Sequence, residues 1–310
     1  MPDSKITTFS FLAPKYWPTW FILGFLRLII FLPYKTQMWL GRQLGNLSYA
    51  LIPKRKNIVK TNIRLCFPKL SEQQQKSLVQ KTIESTGMGI IEIGLSWWAS
   101  ESFLRQAHTV HGIEHLHSAI AKNKGVILLA SHFTTIEMKA AFLGFYSDKI
   151  KYVYKRAHNP LFEWFLSTKR LENCAGLLQH KNLRDIIRSI KQGNIVTFSP
   201  DQDFGEKDSV FAPFMGISTC TLTSPQRLAQ ISGAPIVPVH VKRSYNSKPP
   251  YSLHFGPIVE PFPTDDSIHD ATSINNAIEK QIATAPEQYL WAHRRFKSRP
   301  NGEADVYTKR

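Results

Sequence analysis

The stretch GVILLASHFTTIEMKAAF, residues 125–142, holds a pair of side chains that could move a proton. A run of small and apolar residues ends in Ser131-His132, and Glu137 follows as a helix-like pattern begins. An imidazole accepts a proton from an alcohol near neutral pH. A carboxylate on its far ring nitrogen fixes the tautomer and steadies the imidazolium that forms. Two further pairs share the spacing, His158/Glu163 and His180/Asp185, but only His132/Glu137 follows a strand-like run. On an ideal helix, five residues would leave the two side chains about 140° apart. If they are to meet, His132 belongs in a loop, with the helix starting near Thr134 or Thr135, both cap-forming types. The alternative is a hydrogen-bonded structural histidine. No G-x-S-x-G elbow, HExxH, P-loop or G-x-G-x-x-G occurs in the chain. The reading is therefore direct attack by a substrate hydroxyl, with His132 as general base, Glu137 orienting it, and no acyl-enzyme.

The elements that must hold this pair change texture along the chain. Residues 36–107 read as helical, with Ser71 as an N-cap before a long amphipathic run. From residue 108, the strand-like runs TVHGI, GVILLAS, IKYVYK, NIVTFSP, PIVPVHV and YSLHFGPI alternate with helical stretches at 134–145, 160–172, 181–192 and 222–232. This alternation predicts an α/β domain over 108–310 with a mostly parallel central sheet flanked by helices. Ligands in such sheets bind beyond the carboxyl ends of the strands. Asp201 and Asp203 close one such strand, either positioning substrate or serving as turn residues. Arg294 and Arg295 could clamp phosphate or carboxylate, or make structural ion pairs. Ser224-Pro225 reads as a helix start. The blocks GIIEIGLSWW and FEWFL could line a hydrocarbon tunnel or pack a core. The last ten residues read as a frayed tail.

Residues 1–35 read as a membrane anchor, the alternative for its apolar run being a buried hydrophobic helix. YWPTWFILGFLRLIIFLPY, residues 16–34, is almost wholly apolar, with aromatic residues at its edges and Arg27 inside. A helix of roughly 16 residues spans ~24 Å, short of a hydrocarbon core, so both a spanning and a half-inserted helix fit. Lys35, Arg42, Lys54, Arg55, Lys56, Lys60 and Arg64 follow the segment, while only Lys5 and Lys15 precede it. That bias predicts that the bulk of the chain is cytoplasmic. Lys56, Lys60 and Arg64 share one helical face, suited to anionic headgroups or simply to water. The net charge of +16 points to a polyanionic partner, with simple solubility as the alternative. The three cysteines, Cys66, Cys174 and Cys220, have no ligand or disulfide spacing, which fits a reducing compartment.

Several blocks together carry a resemblance over nearly the whole chain. FLAPKYWPTW, RLCFPKLSE, SHFTTIE, NPLFEW, SPDQDFG, VFAPFMG and APEQYLWAHRRFKSRP occur in the order found in the bacterial lipid A biosynthesis acyltransferases. These belong to the wider H-x4-D/E acyltransferases, and the likeness is greatest to the lauroyl transferases. Where relatives often read Y-R-x-N-D-N-P, this chain has YKRAHNP. The resemblance implies an inner-membrane enzyme with a cytoplasmic active site. It would move an acyl chain from acyl carrier protein to the hydroxyl of a 3-hydroxyacyl chain on a Kdo-bearing lipid A precursor. His132 and Glu137 would be catalytic, and Asn159 and Arg170 would bind substrate, Arg170 through acceptor phosphate or the thioester if it is not simply a surface arginine. No metal or organic cofactor is implied beyond the donor's phosphopantetheine. Expected partners are acyl carrier protein, the lipid A precursor and inner-membrane lipids, but not nucleic acid. A glycerol-phosphate or lysophospholipid acyltransferase fits less well, because SPDQDFG stands where those carry an E-G-T-R type block. A non-enzymatic basic membrane-tethered binder has only charge in its favour and no nucleic-acid-binding signature.

Overall fold

The computed structural model describes residues 8–245, 247–300 and 302–308; the first seven residues of the expected anchor segment lie outside it. Helices come first: α1 (Trp17–Ile29), α2 (Tyr34–Leu51), α3 (Pro53–Cys66), α4 (Glu72–Trp98) and α5 (Glu101–Gln106). Strands and helices then alternate: β1 (His108–His111), α6 (Ile113–Ala121), β2 (Val126–Ala130), α7 (Ile136–Leu143), β3 (Ile150–Tyr154), α8 (Pro160–Leu171), β4 (Gly176–Gln179), α9 (Leu183–Lys191) and β5 (Ile195–Phe198). A hairpin, β6 (Ser209–Phe214) and β7 (Ile217–Leu222), precedes α10 (Ser224–Ser232), β8 (Ile236–Arg243), β9 (Tyr251–Phe255) and α11 (Ser267–Thr284).

Seven strands form one sheet in the order β1-β9-β8-β2-β5-β3-β4, parallel except where β8 meets β9. The six expected strands are all present; β4 and the β6–β7 hairpin are additional. β2 is buried along its whole length, as a central strand covered on both faces should be. Because successive side chains of a strand point to opposite faces, Val126, Leu128 and Ala130 enter one core while Ile127 and Leu129 enter the other. The first core also contains Leu26, Met38 and Met88, so α1, α2 and α4 pack on the sheet.

α4 can lie this close because its contact points are glycine. A Cβ on Gly87 would sit 2.1 Å from the Gly41 carbonyl oxygen of α2, and one on Gly89 would sit 2.6 Å from the Thr134 carbonyl oxygen. Ser71 caps α4, as its sequence predicts, and the structure adds a full capping box with Gln74. A fully buried pair, Arg243 and Glu92, then ties α4 to β8, with both guanidinium contacts at 2.5 Å.

Two expectations change. The 16–34 segment does not form one long helix. α1 has 13 residues, ~20 Å by its rise, and no helix among the described residues is long and apolar enough to cross a membrane. The chain turns at 30–33 because Pro33 stands at the N-cap of the next helix. Leu23, Leu26 and Ile29 face inward, whereas Phe21, Ile22, Phe25, Leu28 and Phe31 are exposed. Nor is the C-terminal tail free where it is described: the Tyr307 hydroxyl donates to Asn62 Oδ1 at 2.6 Å.

Three histidines stack across neighbouring strands β1, β9 and β8. His111 and His254 lie 4.8 Å apart at 13°, and His254 and His240 lie 4.9 Å apart at 12°. Burial, and then the neighbouring ring, push His240 down to about 3 and His254 down to about 4. Both values lie below the 6.5 of a free imidazole. The unfolded chain therefore takes up these protons first as the pH falls. Their contribution to stability is complete above about pH 6.5 and is lost between there and about pH 3. The unfolding midpoint should drop steeply over that range, and less steeply in His240→Asn; parallel profiles in calorimetry would contradict this origin.

Candidate active site

β2 ends at Ala130, and the next residue is fixed at once. Ser131 donates its hydroxyl to Gln281 Oε1 at 2.5 Å, and Gln281 Nε2 returns a hydrogen bond to the Leu129 carbonyl at 3.1 Å. His132 then lies in the loop before α7, as the spacing argument required. The loop is held by the segment after α11. Leu290 N donates to the His132 carbonyl at 2.9 Å, and Thr134 N donates to the Gln288 carbonyl at 2.8 Å. Thr135 occupies the N-cap position of α7, but its hydroxyl bonds the Val241 carbonyl at 2.7 Å rather than capping the helix.

The carboxylate on the imidazole is Asp201, not Glu137. β2 and β5 pair in parallel with Leu129 opposite Phe198, so three residues further on His132 meets Asp201. His132 Nδ1 donates to Asp201 Oδ1 at 2.6 Å, and the His132 backbone N–H donates to Oδ2 at 2.8 Å. Both carboxylate oxygens are thus occupied, and the Asp201 side chain is 0% exposed. Burial by itself would raise this carboxyl; the His132 charge and hydrogen bonds outweigh it and bring it down to about 2. An ionised Asp201 accepts only, so Nδ1 carries the proton and Nε2 presents its lone pair. That nitrogen has no partner among the described residues, and the His132 side chain is 27% exposed.

Glu137 points elsewhere because it lies on α7, turned away from the loop. It accepts from Arg170 of α8, through Nη2 at 2.5 Å and Nε at 3.3 Å. Both side chains are largely buried. Burial acts against the guanidinium, but the Glu137 charge and hydrogen bonds hold it above its usual value. Its Nη1 has no partner among the described residues.

The other candidates prove to be tied into the fold. Asp203 accepts from Ser298 N at 2.7 Å, Ser298 Oγ at 3.0 Å and Gly205 N at 2.9 Å, which closes the site's outer loop. Asn159 caps α8 through Leu161 N and Phe162 N, and its Nδ2 donates to Thr19 of α1 at 2.8 Å. Arg294 pairs with Asp305 at 2.9 Å. Arg295 is buried and donates to the Cys220 carbonyl at 2.7 Å and the Thr221 hydroxyl at 3.1 Å. These contacts oppose a phosphate clamp by Arg294 and Arg295 and make Asp203 and Asn159 framework residues. His293 belongs to the site although the sequence did not single it out. Its Nε2 accepts from Asp203 N at 3.2 Å, and burial pushes it down to about 4. Only its position beside Arg294 in the last block could have signalled it. Among the described residues, no group of three or more His, Cys, Asp or Glu side chains is arranged to hold a metal ion.

The Glu137–Arg170 pair is largely out of water, so removing one charge strands the other. Glu137→Gln should lower unfolding stability by about 3 kcal/mol, read by chemical denaturation. A loss under about 0.5 kcal/mol would mean that the pair is solvated like a surface bridge.

Comparison with known proteins shows the family. The family model for bacterial lipid A biosynthesis acyltransferase matches residues 5–298. The chain is 37% identical to the lipid A biosynthesis lauroyltransferase of Escherichia coli (strain K12), over 96% of this chain and 97% of that protein. It is 36% identical to the palmitoleoyltransferase of the same organism, over 99% of each chain, and 24% identical to the myristoyltransferase, over 97% of this chain and 93% of that one. The strand-end histidine thus stands in an acyltransferase, and the chain belongs to the bacterial lipid A biosynthesis acyltransferases.

Proposed function

We propose that this enzyme moves an acyl chain from acyl carrier protein to the hydroxyl of a 3-hydroxyacyl chain on a Kdo-bearing lipid A precursor, with His132 as general base and Asp201 as the carboxylate that orients it. The observation that carries the reading is the 2.6 Å bond from His132 Nδ1 to a fully buried Asp201, which leaves Nε2 free at the exposed edge of the ring. Nε2 takes the proton of the acceptor hydroxyl as its oxygen attacks the thioester carbonyl. The tetrahedral intermediate collapses, the C–S bond breaks, and the phosphopantetheine thiolate leaves with the proton from the imidazolium. Asp201 steadies the imidazolium between these steps. Arg170, fixed by Glu137, offers its unpartnered Nη1 to the carbonyl oxygen as charge gathers there. The proton that leaves the acceptor hydroxyl is thus the one that the departing thiolate receives, with His132 carrying it between them.

Purified enzyme in detergent, given acyl carrier protein thioester and the Kdo-bearing precursor, should yield a product heavier by one acyl group in mass spectrometry. Transfer to glycerol phosphate but not to the precursor would sink this reading. His132→Ala should lower kcat/KM about 10²–10⁴-fold, and Asp201→Asn should also cause a large loss, since it favours the wrong tautomer. A well-folded Asp201→Asn enzyme with near-normal turnover would remove Asp201 from the mechanism.

The same reading lays α1 in the cytoplasmic leaflet of the inner membrane without crossing it. Phe21, Ile22, Phe25, Leu28 and Phe31 form an exposed apolar face, with Trp17 and Trp20 at one end. Lys56, Lys60 and Arg64 would add attraction to anionic headgroups. Apolar burial is not screened by salt, whereas charge attraction is. Wild-type protein should therefore stay on anionic vesicles in a wash of about 0.5 M salt. A Phe21→Ser, Phe25→Ser double variant should wash off. Equal retention of both in a flotation assay would place the membrane contact elsewhere.

A further inference from the structure

Between Asp3 and Glu72 the chain has no acidic residue, yet it carries eleven Lys and Arg. Helices α1, α2 and α3 lie wholly within that stretch, so their cations find no carboxylate on these helices. Among the described cations of the stretch, only Arg42 of α2 has a buried donor without a partner, its Nε. The side chain is half-buried, and its guanidinium carbon lies 5.1 Å from the centroid of the Tyr245 ring. A ring face attracts the cation but leaves its in-plane N–H groups unsatisfied. The carboxylates of neighbouring segments are engaged elsewhere. Glu92 is closed on Arg243, Glu84 accepts from Gln80 at 2.9 Å, and Glu287 accepts from Gln288 at 3.1 Å. Among the described residues no ion pair reaches Arg42.

This guanidinium stands at the end of the sheet where His132 stands. Tyr245 follows β8, which runs parallel to β2, so both chains leave the sheet at the same edge. Two residues before Tyr245, Arg243 Nη2 reaches Thr134 Oγ1 at 3.4 Å. From the other side, Gly41 lets α2 close on α4, since a Cβ there would sit 2.7 Å from Met88 Cα. The residue after Met88 is Gly89, where α4 meets the His132 loop. Lys35, Trp39 and Arg42, at i, i+4 and i+7, share one face of α2, and Trp39 is exposed. The row starts just past Pro33, where the exposed apolar side of α1 ends in Phe31 and Leu32. It therefore leads from that apolar side toward the sheet end.

We propose that Arg42, steadied by the Tyr245 ring, is a substrate-binding residue that takes a phosphate on the headgroup of the lipid acceptor. A phosphate offers the guanidinium two oxygens at once, which the ring cannot. An acceptor whose acyl chains lie in the leaflet beside α1 carries its headgroup at the height of an interfacial tryptophan such as Trp39. The proposal rests on the lipid acceptor of the function proposed above.

The test compares wild type, Arg42→Gln and Arg42→Lys in detergent micelles free of phospholipid. Each receives acyl carrier protein thioester and either the Kdo-bearing precursor or the same precursor stripped of its phosphates by a phosphatase. With the intact precursor, Arg42→Gln should raise the acceptor KM about tenfold and leave kcat nearly unchanged, since the contact is made before and during reaction alike. With the stripped precursor, Arg42→Gln and wild type should have the same KM. Arg42→Lys keeps the charge without the fork and should recover part of the loss. Isothermal titration with each precursor, without thioester, should show the same pattern in binding. An unchanged KM for the intact precursor in a variant that melts like wild type would overturn the proposal. So would an equal rise for both precursors, which would place Arg42 in the framework. A loss that appears only when anionic phospholipid is added to the micelles would also overturn it, and would give the site to bulk lipid. If Arg42→Gln does not fold, Arg42→Lys carries the comparison. Wild type that binds the intact precursor but yields no product removes the acyl-transfer reading alone, and the titrations still decide the role of Arg42.

Discussion

The fold depends on one interaction taken wholly out of water, the pair between Glu92 of α4 and Arg243 at the end of β8. Glu92 also accepts from the Tyr251 hydroxyl at 2.7 Å, and Arg243 Nη1 donates to Ser85 at 3.1 Å. The Ser85 hydroxyl meets that of Thr134 at 2.8 Å, two residues from His132. Gln288 clasps the Arg243 backbone from the other side, accepting its N–H and donating to its carbonyl, each at 2.8 Å. Burial works against the Arg243 guanidinium, and the Glu92 charge holds it well above its usual value. A buried pair of this kind adds little net stability relative to an apolar core, but losing one partner costs about 3–5 kcal/mol. Its effect is therefore one of registration. Only one seating of α4 satisfies both charges, and that seating brings α4, the sheet end and the 286–290 segment against the His132 loop.

From that frame the site follows by adjacency. β2 and β5 run parallel and in register, so the loops that leave them carry His132 and Asp201 to the same place. The close approach of α4 at Gly89 leaves no room for the loop to retreat. Asp201 touches the imidazole and fixes its tautomer, while Glu137 closes on Arg170 in a second, largely buried pair. Since a buried site has few waters to reorganise, these fixed charges act at greater strength than they would at the surface.

The two sides of α1 differ in what meets them. The inward side of α1 packs Leu23, Leu26 and Ile29, and the loop before α8 is tied to it by the Asn159–Thr19 bond. Its outward side is apolar, and no described residue covers it. The turn at Pro33 ends the apolar helix after 13 residues, so no described helix is long and apolar enough to cross a membrane.

Much of this was legible in the residues themselves. Strand and helix alternation, the N-cap at Ser71 and the strand-end loop holding His132 are local patterns, governed by side-chain periodicity and backbone hydrogen bonding. The identity of His132's partner was not. Asp201 lies 69 residues away, and only the β2–β5 register brings it within 2.6 Å. Glu137 was the nearer carboxylate along the chain, but the helical rotation that separates it from the loop turns it to Arg170 instead. Arg294, Arg295, Asp203 and Asn159 have the chemistry of ligand-binding groups in any sequence. Whether they bind substrate or carbonyl oxygens and backbone N–H groups is decided by what the folded chain places beside them. The sequence by itself determined the elements and the place of His132 at a strand end, because those depend on neighbours along the chain. The tertiary structure alone decided which charges meet, because hydrogen bonds and Coulomb interactions depend on distance in space, which strand register and helix seating set.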